Sequence, residues 1–430
     1  MTEAITDADV GYALDLVKRI CAEAGPGLSG SSQERDRAAI LKHELESHLG
    51  TGNAVFEEFT VAPGAFLAAP PIAASFTLAA AILSVTSGQL TGGPMWVTSI
   101  VAVACATAAV LLISLEFLFY VEVIDRWSRT RQSENVVGTL RRPGPREVGR
   151  LLIVSGHHDS AQENTWFRFL GYGGLVASGT MFIGFAAMFA AGVLQLVGLV
   201  AGNAGLVRLG TPGWILLTYP IVPSIVVGLF FTRGKKHGGN VPGAVDNLAA
   251  CALVVSLCRF LTKNPDCIPA DTEIRFITFG SEEAGVRGSR RYVERHRAEL
   301  ERRDARLLNF EMVADPTITI LTSDLNRSVK SAPEMVNSVV AAAESAGVPY
   351  QVKPAGIGVG TDAGPFSRAG LKAVTLFPFK VPQQLVAFYH QKWDRPEVLT
   401  MAPLSNVLKL ALAWIRSSGV STGRSEGEAR

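Results

Sequence analysis

The sequence predicts an α/β chain: a three-layer α/β/α sandwich around a mixed, mostly parallel sheet, joined to four apolar spans in two hairpins. Three observations carry this. Short runs rich in β-branched residues and leucine, RLLIVS at Arg150–Ser155, EIRFITF at Glu273–Phe279 and LLNFEM at Leu307–Met312, alternate with helical patterns. These runs deliver histidines and carboxylates at or near their C-terminal ends. Four long stretches without a charge interrupt the alternation.

Taken in order, Ser31 with Glu34 is a capping-box pattern that opens a helix, and Ala38, Leu41, Leu45 and Leu49 share its apolar face before Gly50 ends it. Ala54–Val61 and Asn135–Leu140 read as early strands, and Arg150–Ser155 as the first buried parallel strand. Asp246 opens an Ala- and Leu-rich helix running to about Leu261, and Glu273–Phe279 is the next strand. Ser289–Arg303 is a charged amphipathic helix, Leu307–Met312 a strand, Met335–Ala346 a helix, Ala373–Phe377 a late strand and Leu404–Ser417 the closing helix. Ser418–Arg430 is small and polar, the composition of a disordered tail. Beyond the two hairpins there are no internal repeats.

The chain of 430 residues is 48% hydrophobic and 18% charged, and its apolar residues are clumped rather than periodic. Ile72–Leu90, Val97–Leu115, Phe169–Val207 and Trp214–Thr232 contain no charge. Each is long enough to cross a hydrocarbon core of ~30 Å at ~1.5 Å per residue. They define the expected organisation: 1–66, 123–167 and 233–417 build one catalytic-type domain, 67–122 and 168–232 are transmembrane hairpins, and 418–430 is the tail. Arg126, Arg129 and Arg131 follow the second span, Arg168 precedes the third, and Arg233, Lys235 and Lys236 follow the fourth. The opposite connections hold only Arg208, so the domain and both termini are expected on the cytoplasmic side of a multi-pass protein. No basic segment leads into an apolar core at the start, so no signal peptide is expected.

The chemistry-bearing residues fall in order: His157-His158-Asp159, Asp246-Asn247, Glu282-Glu283, Glu311 and His390. Histidines and carboxylates at that density suit two adjacent zinc ions. In open α/β sheets, sites form beyond the carboxyl ends of the strands, so groups at several strand ends can converge. His158 points away from His157 and Asp159 if the segment stays extended, which makes it structural.

The segments GHHDS, GAVDN, FGSEEAGVRGS, NFEMVAD, GTDAGPFSRAG and YHQKWD resemble, in order, the motifs of family twenty-eight of the metallopeptidases. These are co-catalytic di-zinc aminopeptidases related to bacterial leucyl aminopeptidase and glutamate carboxypeptidase II. The resemblance spans roughly 10–60 and 133–415, leaving out the hairpins, and implies a fold of the zinc-peptidase type. It assigns His157 and Glu311 to one zinc, Glu283 and His390 to the other, and Asp246 as the bridge. It makes Glu282 the general base and Asp159 the acceptor of the second ring proton of His157. Tyr389, next to His390, reads either as a donor to the tetrahedral oxyanion or as a packed aromatic. It also implies a cis peptide between Asp246 and Asn247. One position departs from the pattern: the family has Asp where this chain has Glu311, with Asp315 as a fallback ligand.

The implied activity is membrane-anchored, zinc-dependent trimming of short peptides, with two zinc ions per chain and the lipid bilayer as a partner. Alternatives are a receptor-like or regulatory membrane protein on the same fold, a transporter regulated by the zinc domain, or a glutaminyl-cyclase-like enzyme. Against transport, the spans hold almost no ionisable residue except Glu116 near one end. A net charge of +2 gives no reason to expect nucleic acid, and Arg141, Arg142 and Arg146 beside Pro143 and Pro145 read as a solvated turn. Five scattered cysteines, Cys21, Cys105, Cys251, Cys258 and Cys267, read as reduced thiols. Whether the chain self-associates is left open.

Overall fold

In the computed structural model, which describes residues 3–142, 149–212, 220–233 and 241–418, eight strands form one sheet. They are β1 (Ala54–Val61), β2 (Arg131–Arg141), β3 (Arg150–His157), β4 (Thr272–Phe279), β5 (Arg306–Phe310), β6 (Ile318–Leu321), β7 (Tyr350–Lys353) and β8 (Lys372–Phe377), in spatial order β1-β2-β4-β3-β5-β8-β6-β7. The centre is parallel: β3 pairs in parallel with β4 and β5, and β8 with β5. The β1–β2, β2–β4 and β8–β6 pairs are antiparallel. The fold is therefore the mixed, mostly parallel sheet that the runs predict.

Among the described residues, the α-helices of nine residues or more are α1 (Asp7–Glu23), α2 (Ser32–Leu49), α3 (Ala65–Ser87), α4 (Gly92–Leu112), α5 (Tyr172–Val200), α6 (Ile221–Leu229), α7 (Ala249–Lys263), α8 (Arg287–Arg302), α9 (Pro333–Ser345) and α10 (Met401–Ser417). Period-two alternation explains the three layers. Leu152 and Val154 of β3 join α1, α2, α7, α9 and α10 in one core, whereas Leu151 and Ile153 face Tyr292, Val293 and Leu300 of α8. Helix α7 lies so close to β3 that a Cβ on Gly156 would come within 2.6 Å of the Ala250 methyl.

Several expectations shift. Asp246 does not open α7: Ala244–Leu248 is a separate irregular turn in which Asp246 and Asn247 have non-helical dihedrals. The N-cap of α2 is Ser31, whose side chain accepts from the Glu34 amide, but Glu34 does not reach back to Ser31, because its carboxylate is used elsewhere. Strands β6 and β7 and helix α1 are not among the expected elements, although α1 opens with a Thr6–Asp9 capping box and buries Val10, Ala13, Leu16, Val17 and Ile20 on one face. Arg141 and Arg142 are not merely solvated, since they pair with Glu273 at 2.5 Å and Asp266 at 2.9 Å; Arg146 and the prolines lie outside the described residues, as does the tail beyond Ser418.

Among the described residues, four helical segments are long and apolar enough to cross a membrane: Ala65–Ser87, Gly92–Leu118, Tyr172–Val200 and Ala244–Lys263. The last contains α7 and is almost wholly buried against the sheet, so its apolarity is that of a core helix. The expected fourth span, Trp214–Thr232, lies partly outside the described residues, and its described part holds the nine-residue α6. Helices α3, α4, α5 and α6 pack on one another through small side chains. Ala73, Ala74, Ala80, Ala106, Ala109 and Ala191 are buried between them, and a Cβ on Gly184 would come 2.2 Å from the Ser224 hydroxyl. Ile82, Val97, Ile100, Leu111, Val176 and Ile183 point outward and are exposed. Small side chains thus lie within this group of helices and large apolar ones on its outside.

Candidate metal centre

The expected residues converge at the carboxyl ends of the parallel strands. His157 ends β3 and is in register with Phe279 at the end of β4, from which the loop Gly280–Val286 carries Glu282 and Glu283. Glu311 follows β5 and ties its amide to the Leu376 carbonyl of β8 at 3.0 Å. Asp246 comes from the turn before α7, with a cis peptide to Asn247, and His390 from the segment after β8.

Buried acceptors hold these loops. Asp159 accepts from the amides of Glu282 and Glu283, both at 3.0 Å, and from Ser29 at 2.7 Å. Glu34 accepts from the Ser281 amide at 2.7 Å and hydroxyl at 3.0 Å, which is why it leaves the capping box incomplete. Asp394 accepts from the amides of Val245 at 2.7 Å and Asp246 at 3.1 Å. Asn247 donates to Glu311 Oε2 at 3.2 Å and accepts from the Met312 amide at 3.2 Å. Ser281, Val286, Met312 and His390 all have left-handed φ between 50° and 56°, a cost of order 1–3 kcal/mol each that only a fully determined surrounding sustains.

His157 Nε2 stands 3.2 Å from Asp246 Oδ1 and 3.4 Å from Glu311 Oε1. His390 Nε2 stands 3.3 Å from Asp246 Oδ2 and 3.2 Å from Glu283 Oε1. Asp246 thus belongs to two groups at once, His157–Asp246–Glu311 and Asp246–Glu283–His390, one oxygen in each; in both, the ligand atoms lie within 4.8 Å of one another. Tetrahedral zinc with bonds of about 2.0–2.1 Å has neighbouring ligand atoms about 3.3–3.4 Å apart. The spacings match that edge, and the donor set of imidazole and carboxylate suits zinc. Glu282 Oε2, 3.7 Å from His157 Nε2, belongs to neither of these triads but forms a third group of the same kind with His157 and Glu283. Asp159 Oδ1 stands 3.2 Å from the other ring nitrogen of His157.

The electrostatics call for cations. Burial raises Glu282 well above the ordinary carboxylate range, with Glu311 and Glu283 adding to it against His157. Burial likewise pushes Glu311 up to about 8. Burial lowers His390, but Glu283 and Asp246 outweigh it and bring the ring to about 10. Crowded carboxylates of this kind are relieved by a divalent ion.

The remaining expected residues separate cleanly. Tyr389 stacks on His390 with centroids 3.7 Å apart. His158 is fully buried and held near 4 by burial, outside the cluster as expected. Asp315 accepts from the Thr317 amide at 2.9 Å and caps a turn, so it is not among the clustered groups. Asp394 and Asp362 sat inside quoted motifs without an assigned role; Asp362 is buried and pushed up to about 7 by burial and the carboxylates around it, against His157.

The apolar hairpins are fastened to the two loops that carry the cluster. Glu116, at the end of the second apolar helix and fully buried, accepts from Arg287 at 3.0 Å and from the amides of Val123 and Ile124 at 2.7 and 3.0 Å. Arg287 closes the Glu282–Glu283 loop and also pairs with Asp125 at 2.8 Å. At the base of the second hairpin, the Asn164 amide donates to the His390 carbonyl at 2.9 Å, and Phe167 lies 6.1 Å from Tyr389. Charge hidden at a span end gave no sequence signal for its partner.

Residues 232–415 match the model for peptidase family M28. Over that stretch the chain is similar to peptidase family M28. The match contains Asp246, Glu282, Glu283, Glu311 and His390, while His157 and Asp159 precede it. Aminopeptidase YwaD of Bacillus subtilis (strain 168) is 40% identical over 73 residues, a stretch that spans only 17% of this chain and 15% of that relative. The fold is similar to that of a zinc aminopeptidase from Bacillus subtilis, with TM-score 0.53 at 14% identity over 95% of this chain and 94% of that one. It is also similar to a glutaminyl cyclase of Fimbriiglobus ruber, with TM-score 0.54 at 13% identity over 97% of each chain.

Proposed function

We propose that the chain is a membrane-anchored, zinc-dependent exopeptidase, most simply an aminopeptidase acting on short peptides. The observation that carries the reading is Asp246, whose two oxygens each face a histidine-and-carboxylate pair at zinc-ligand spacing. In this reading His157, Asp246 and Glu311 hold one zinc and Asp246, Glu283 and His390 the other. Zinc held there would supply Lewis acidity for activating water and for polarising the scissile carbonyl.

The chain's own groups do the rest. Glu282, raised by burial and outside both triads, takes the proton of the attacking water and returns it to the departing amine. Tyr389, kept neutral by burial and by Asp246 and Glu283, donates to the developing oxyanion. Asp159 fixes the His157 ring and the backbone of Glu282 and Glu283; Asp394 and Asn247 do the same for Asp246 and Glu311.

The membrane part rests on the exposed apolar faces of α3, α4 and α5 and on the cationic flanks at Arg126, Arg129, Arg131 and Arg168, which favour a cytoplasmic catalytic domain. The fold's likeness to a glutaminyl cyclase favours a second reading, a reaction of that type at the same site. A panel of dipeptides, aminoacyl-amides and a glutaminyl peptide, assayed with the detergent-purified chain before and after chelation, separates them. Chelator-sensitive release of free amino acids supports the peptidase; turnover of the glutaminyl peptide alone favours the second reading, and no turnover at all counts against both.

A further inference from the structure

A side chain that no motif points to packs against the loop that carries Glu282 and Glu283. Tyr120 belongs to the segment leaving the first apolar hairpin, and its ring stacks on Phe66 with centroids 5.1 Å apart, packed with Val286 of the Glu282 loop and Leu325. Its backbone is held from both sides: Arg368 donates to the Phe119 carbonyl at 2.6 Å and Asn326 to the Leu118 carbonyl at 2.9 Å. The residue is 8% exposed with φ of 55°, a left-handed conformation costly for a bulky side chain and concentrated at functional sites.

The hydroxyl has a seat made for it. A Cβ on Gly360 would lie 2.2 Å from the Tyr120 oxygen, so a glycine is needed there for the ring to reach its position. The charges nearest in effect are Glu282, Asp324 and Glu283, which with burial raise the phenol well above its ordinary value and keep it a neutral donor. Burial, with Asp246, Glu283, Tyr120 and Glu282, raises the Tyr389 phenol as well. Yet the Tyr120 hydroxyl makes no hydrogen bond among the described residues. Phenylalanine would pack equally well on Phe66, and a phenol kept at this position without a protein acceptor is poised for an acceptor that arrives.

We propose that Tyr120 is a substrate-contacting residue supplied by the first apolar hairpin, its hydroxyl donating to a backbone carbonyl oxygen of the peptide bound beside Glu282. This rests on the exopeptidase reading. It makes the hairpin part of the binding site as well as an anchor, because Tyr120 is placed by Phe66 at the start of α3 and by the segment that follows α4.

The test uses the full-length chain in detergent with leucyl-glycine. Tyr120→Phe should lower kcat/KM about tenfold, the worth of one hydrogen bond, with zinc content and thermal midpoint unchanged. Gly360→Ala, which displaces the hydroxyl, should lower it similarly, and the double variant should be no worse than Gly360→Ala. Tyr120→Phe within twofold of wild type, or additive losses, would overturn the assignment. A wild-type chain without turnover would contradict the peptidase reading alone. Calorimetric binding of the same dipeptide then decides Tyr120: about tenfold weaker binding by Tyr120→Phe supports it, whereas equal affinities, or no binding to wild type, overturn it.

Discussion

Arg287→Met tests whether the first hairpin and the catalytic loop form one unit. The Arg287 side chain is 1% exposed and faces Glu116 at 3.0 Å, Asp125 at 2.8 Å and Glu122 at 3.5 Å, with Glu116 itself fully buried. Methionine fills the volume but leaves Glu116 without a counter-charge. Removing one partner of a buried pair costs about 3–5 kcal/mol. Glu116→Gln should cost less, about 1–2 kcal/mol, since its remaining carbonyl oxygen can keep accepting from Val123 and Ile124. The double variant should be less destabilised than the sum by about 1–3 kcal/mol, because the two residues share one interaction. Thermal unfolding in detergent, at roughly 2 °C or more per kcal/mol, should show Arg287→Met lowered by about 6 °C or more, with matching loss of peptide turnover as the 282–286 loop loosens. A midpoint within 1 °C of wild type, or strictly additive variants, would refute the coupling.

Glu282→Gln should retain metal while losing about 10²–10⁴-fold in turnover; retained activity removes Glu282 from proton transfer. In the zinc-free chain burial raises Glu282 above its ordinary 4.5, so a carbon-13 titration of labelled glutamates should show a midpoint above 4.5 that Glu282→Gln removes; the absence of such a midpoint would contradict this. Gly184→Leu, which forces a side chain into the 2.2 Å approach to Ser224, should lower the thermal midpoint in detergent and leave the zinc content of surviving protein unchanged; an unaltered midpoint would mean that α5 and α6 do not pack as described.

The sheet's central strands were legible because parallel strands covered on both faces are nearly continuous apolar runs, and Arg150–His157 and Thr272–Phe279 have that character. The edge was not: Tyr350–Lys353 is half exposed and polar, so neither alternation nor a buried run marks it. Among site residues, those at strand ends were readable in order, whereas Glu34, Asp394 and Tyr120 act across 247, 148 and at least 160 residues of sequence, a distance over which local pattern carries no information. The apolar stretches foretold helices by length but not by role. Helix α7, read from the sequence as a helix of the domain, does lie under the sheet although it is nearly as apolar as those stretches, since burial and lipid select the same side chains.

The most direct measurement is zinc per chain by elemental analysis of the detergent-purified full-length protein and its Asp246→Ala variant. About two zinc ions in the wild type and loss of both in the variant are expected, because each triad shares that carboxylate. A variant that keeps one zinc at full occupancy, or a wild type that never exceeds one, would contradict the paired centre.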